Sequence, residues 1–133
     1  MEKAGTKAET LTLLGGRLCL DFANTADWHA SDHPVEYLTS YSELVAWSQH
    51  AGILAEDQGQ RLLKEAARHP ADAAAVLERA ISLREAIYRI FLAISLGSQP
   101  PAADLAAFNA ELARSLARSR IVLTAEGFAW DWT

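Results

Sequence analysis

Hydrophobic positions in this chain keep two different rhythms. From Leu44 to Leu116 they recur at steps of three and four, the spacing of one helix face, and after Ile121 they alternate with polar or small residues, the spacing of a strand. The longest predicted helix covers 71–96, with Pro70 at its start and Gly97 just past its end, the residue types favoured at those two places. Leu77, Ala80, Arg84, Ile87, Phe91 and Ile94 share one face of it. Glu78, Glu85 and Arg89, with Arg79 near them, fall on the opposite side, expected to be solvated. Arg84 is therefore the one charged member of an otherwise apolar stripe. An unpaired guanidinium there would cost roughly several kcal/mol, so Arg84 is expected to meet a counter-charge or acceptors inside the core.

The same pattern places the other elements. Residues 1–10 are polar and read as a flexible leader, and 11–14 form a short strand or extended arm that stops at Gly15-Gly16. Segment 17–25 fits both rhythms: Leu18, Asp21, Phe22 and Thr25 have helical spacing, whereas Leu18, Leu20 and Phe22 alternate. A short helix is preferred, because the glycine pair makes a good turn into it. Residues 28–38, rich in His, Asp, Ser and Pro, read as a loop. Ser40 through Glu43 match a capping box, opening a helix with Leu44, Val45, Trp47 and Ala51 that Gly52 ends. Helices follow over 55–69, with Leu62, Leu63 and Ala66 inward, and over 102–118, with Leu105, Phe108, Leu112 and Leu116 on one face. Ile121 and Leu123, then Phe128, Trp130 and Trp132, split by Ala125-Glu126-Gly127, predict a hairpin. The expected architecture is mainly α: one domain of about five helices, with a short N-terminal strand or arm and a C-terminal β-hairpin that brings it close to the α+β class.

Composition narrows the function more than it defines it. Half of the 133 residues are apolar, which is globular composition. Twelve Lys and Arg against 17 Asp and Glu give a net charge of −5, so a free-standing nucleic-acid binder is disfavoured. One cysteine, Cys19, excludes an internal disulfide and a cysteine zinc cluster, and makes the cytoplasm the expected compartment. Nothing resembles a signal peptide or a run of membrane-spanning length, so no membrane partner is expected.

Each candidate chemistry has a bland counterpart. His29 and His33 are four apart with Asp27 and Asp32 beside them, but that spacing gathers metal ligands only on a helix, and Pro34 argues for a loop. His50 and His69 fall near helix ends, where a cation is comfortable without any ligand role. Cys19, between two leucines, reads as a small buried hydrophobe. No serine lies in a nucleophile elbow, and Gly15-Gly16 lacks phosphate-loop spacing. Asp21, Asp27 and Asp32 are too ordinary in an acidic chain to define an acid/base pair, so neither an enzyme nor a cofactor or metal site is expected. Arg84 with residues 21–25 is the constellation that carries a physical argument. One reading is an Arg84–Asp21 ion pair that docks the N-terminal segment on the long helix. The other is a pocket in which Arg84, Asn24 and Thr25, with the indole of Trp28 or Trp130, take a small anionic or aromatic ligand. Asn109, on the shoulder of its helix beside Phe108, belongs to the same question, so the candidate ligand set is Asp21, Asn24, Thr25, Trp28, Arg84, Asn109 and Trp130.

Several of these residues also carry a likeness. The run from Gly15 to Thr25, Gly-Gly-Arg-Leu-Cys-Leu-Asp-Phe-Ala-Asn-Thr, resembles the opening of the ABATE domain, the N-terminal part of bacterial proteins with a CGNR zinc finger. The Leu-Val-Ala-Trp at Leu44, the Ala-Gly-Ile-Leu at Ala51, the run from Leu83 to Arg89, Leu105 to Asn109 and the closing Gly127 to Trp132 continue it in order, so the likeness covers nearly everything after residue 10. The resemblance implies a stress-induced transcription regulator, in which a helical domain senses a small molecule and a C-terminal Cys-rich finger binds DNA. The sequence stops at Thr133, so DNA contact is expected only through a finger that lies outside it. The expected role is therefore a small-molecule-sensing regulatory domain. The alternative is a protein-interaction or dimerisation module, with structural polar residues in its core and the aromatics of 128–132 facing a following segment or a second copy in a homodimer.

Overall fold

Capping chemistry sets most of the boundaries in the computed structural model, which describes residues 7–27 and 29–132. Helix α1 (Leu18–Ala23) follows the glycine pair, and α2 (Tyr41–His50) opens on Ser40, whose hydroxyl accepts from the Glu43 backbone N–H. Gly52, at φ +80°, ends α2. Helix α3 (Glu56–Arg68) runs into α4 (Pro70–Ser95), whose first residue is the proline and which stops at Gly97, φ +71°. Helix α5 (Ala102–Ala117) leads to the hairpin of β3 (Ser119–Thr124) and β4 (Gly127–Trp132), antiparallel, with Ile121 opposite Trp130 and Leu123 opposite Phe128. Earlier in the chain β1 (Ala26–Asp27) and β2 (Val35–Glu36) make a second antiparallel pair. The described residues thus hold five α-helices and two small sheets, a mainly α fold as the hydrophobic rhythm predicts.

The chain divides into two compact units, Met1–Glu85 and Ala86–Thr133, with the boundary inside α4. The first has the larger core: Ala8, Leu11, Tyr37, Leu38 and Trp47, with Phe22, Val35, Leu44, Ala51 and Leu77 packed against them. The Phe22 and Trp47 rings lie 5.6 Å apart and tilted. Trp47 Nε1 is buried without a hydrogen-bond partner among the described residues.

Local details depart from the sequence reading, each for a physical reason. Ala8–Thr10, assigned to the leader, is a 3-10 turn whose Ala8 is buried in the core; residues 1–6 of that leader lie outside the described residues. Residues 11–14 belong to no helix or strand among the described residues, and Leu11 has extended backbone angles. His50 Nε2 holds it, donating to the Leu11 carbonyl oxygen at 2.7 Å. The loop over 28–38 contains β2, a strand of two residues and too short to leave a period in the sequence. Cys19 is exposed rather than buried, because α1 turns that side outward. On α4 the apolar stripe is buried at Ile87 and half-buried at Leu77 and Ala80, but Phe91 and Ile94 are exposed.

Candidate functional site

Arg84 faces inward from α4 and is 3 % exposed. Its Nη1 donates to Glu36 Oε1 at 2.7 Å, and its Nη2 and Nε donate to Glu85 Oε1 at 2.6 and 3.0 Å. His29 Nε2 lies 3.2 Å from the same Glu85 oxygen. The short β1–β2 pair supplies Glu36: its register sets Glu36 opposite Ala26, and the Tyr37 hydroxyl, donating to Asp27 Oδ2 at 2.8 Å, ties the two strands again. One guanidinium thus fastens β2 to α4 through Glu36, and its neighbour on the same helix, Glu85, binds the other edge of the fork.

The electrostatics follow from that packing. Burial disfavours the charged form of Glu85, but the hydrogen bonds and charge of Arg84, with help from His29, outweigh it and hold the carboxyl below its ordinary value of 4.5. Burial likewise works against the Arg84 cation, and the bonds to Glu36 and Glu85 more than offset it, so its pKa is raised. Charge-assisted bonds of this length are among the stronger ones in proteins. An anionic ligand at Arg84 would have to displace one of two carboxylates already seated there.

The sequence-predicted residues are placed as follows. Asp21 does not pair with Arg84; its Oδ1 accepts from the Gly15 N–H at 2.7 Å and closes the glycine turn onto α1. A Cβ at Gly15 would come within 2.7 Å of Leu20 Cβ and 2.9 Å of the Asp21 nitrogen, so the close approach requires glycine. Thr25 is buried, with its hydroxyl donating to the Phe22 carbonyl at 2.7 Å, while Asn24 is exposed at the end of α1. Trp28 lies outside the described residues. Asn109 on α5 and Trp130 on β4 are exposed in the second unit. Sequence reasoning missed Glu36, Glu85 and His29. Helical geometry sends Glu85 about 100° away from Arg84, but the long guanidinium reaches across that angle, so Glu85 is half-buried rather than solvated. The only available signal was adjacency.

Elsewhere among the described residues, a part-buried ion pair and two clefts stand out. In the second unit Arg89 Nε donates to both oxygens of Asp104 at 3.0 Å, with Asp104 buried in the first turn of α5. A cleft of about 280 Å³ opens where α3 meets α4, beside the start of α2. Tyr41, Leu62, Ala66, Ala73 and Val76 line it together with Glu65, His69 and Asp72. A second, more polar cleft of about 470 Å³ is bordered by Glu9, Gln49, His50, Glu56 and Gln60. No three His, Cys, Asp or Glu side chains converge as a metal site among the described residues. No helix among them is long and apolar enough to cross a membrane.

The family comparison is specific: residues 16–133 match ABATE, described as "putative stress-induced transcription regulator", and the chain belongs to that family. No curated protein and no solved structure matches it.

Proposed function

We propose that the chain is the sensory domain of a stress-induced transcription regulator, and that it takes a small ligand in the cleft between α3 and α4. Family membership supports the regulatory role. The observation that carries the sensing is the cleft itself, an open concavity of about 280 Å³ lined by apolar side chains and a few polar ones, just under the usual size of small-molecule sites. Glu65 and Asp72 in its lining favour a neutral or basic aromatic ligand over an anionic one. Arg84, already neutralised, serves this reading as the clamp that keeps β2 on α4.

Thermal-shift titration with neutral and basic aromatic compounds, and benzoate as the anionic comparator, tests it. The expected result is stabilisation by members of the first group, lost in Leu62→Trp, which fills the cleft. No stabiliser across the panel, or a shift that Leu62→Trp leaves intact, would overturn the reading. A second reading, regulation by protein contact, is favoured by the apolar face of the C-terminal hairpin.

A further inference from the structure

The β3–β4 register sorts the hairpin into two unlike faces. Cross-strand partners share a face, so Ile121 and Leu123 of β3 stand with Phe128, Trp130 and Trp132 of β4 on one side. Arg120 and Asp131, paired at 2.9 Å, take the other side together. The five large apolar side chains are exposed to between 61 % for Ile121 and 80 % for Phe128. Together they present roughly 600 Å² of apolar surface, at the top of what monomers usually leave in water and near the roughly 800 Å² per partner of a standard interface.

From this we infer that the hairpin face is a homodimer interface, on which a second copy of the chain packs its own hairpin about a two-fold axis. Three features fit a second copy. The face carries no charge, so two copies can meet there without like charges opposed across the contact, and it offers nothing to recognise a basic or acidic partner. Doubled by the same patch on a second copy, the exposed area comes to roughly 1,200 Å², the lower end of what a specific dimer buries. The face is also self-complementary. An axis parallel to the strands lays the aliphatic row of each copy (Ile121 and Leu123) on the aromatic row of the other (Phe128, Trp130 and Trp132), so every contact is made twice.

Sedimentation equilibrium of the 133-residue chain from about 1 to 100 µM tests this, since modest interfaces dissociate in that range. The wild type is expected to reach a dimer. Leu123→Lys and Phe128→Glu, each alone, should weaken association by about tenfold or more, because each buries a charge against an apolar row. An equimolar mixture of the two should recover association, because the introduced ammonium of one chain then faces the introduced carboxylate of the other. Circular dichroism of each variant checks that the helices persist. A wild type that stays monomeric throughout, variants that dimerise like the wild type, or a mixture no tighter than its components would overturn the inference. Each of those results leaves the cleft reading standing, because Leu62 and its neighbours are not part of this face.

Discussion

In the first unit the side chain least suited to burial, Arg84, is paired with Glu36 and Glu85, the latter also held by His29, and three of its N–H groups are bonded at 3.0 Å or less. In the second unit the side chains least suited to water, Phe128, Trp130 and Trp132, are more than half exposed. One region has closed over its difficult group by pairing it, and the other leaves its difficult surface for something else to cover. The difference separates architecture from interaction. A buried, paired arginine fixes where elements dock, whereas an uncharged aromatic face stores association energy that the isolated chain does not use.

The contrast can be attacked first at Arg84. Arg84→Ala removes the shared cation from two partly buried carboxylates and should cost about 3 kcal/mol of stability, measured by urea unfolding. A loss under about 1 kcal/mol would mean that the cluster is solvated in the folded protein. Asp104→Ala, which strips Arg89 of its bidentate partner in the second unit, should cost about 1–2 kcal/mol, since Asp104 is buried while Arg89 is half in water. Equal losses at Arg84 and Asp104 would erase the difference between a core clamp and a peripheral one.

A subtler effect is expected from pH. The folded-state pKa of Glu85 is lowered from its ordinary 4.5, so its contribution is present above about that value and is lost as pH falls through the lowered one. The stability gap between wild type and Glu85→Gln should therefore be widest near neutrality and should narrow on acidification. A gap independent of pH would show that Glu85 is not held ionised by Arg84. The smallest effect belongs to the hairpin. Trp130→Ser in dilute protein should change stability by under about 0.5 kcal/mol, because the indole is already largely in water, while weakening self-association. A large loss of monomer stability would place that indole inside a core.

The helices and the C-terminal hairpin were legible because periodicity and caps agree there: Ser40, Gly52, Pro70 and Gly97 fall at the boundaries they predict. Arg84 was legible as an inward charge for the same reason, since one charged residue in an apolar stripe is a local conflict that structure must resolve. Its partners were not. Glu36 arrives through a two-residue strand without a period, and Glu85 was set on the far side by ideal helix geometry, which fixes where a Cβ points but not how far an arginine reaches. Asp21, the expected partner, is instead committed to the Gly15 turn, six residues away and visible only as a hydrogen bond. The exposure of the aromatic row was open to two readings, because alternation shows that residues share a face but not whether anything covers it.

Side-chain hydrogen exchange, followed by NMR in dilute protein, tests the contrast in one measurement. The Arg84 Nε–H should exchange slowly, and the indole N–H groups of Trp130 and Trp132 should exchange as fast as those of a free tryptophan side chain. An Arg84 signal that exchanges like an exposed arginine, or protected indoles on the hairpin of the monomer, would contradict the account.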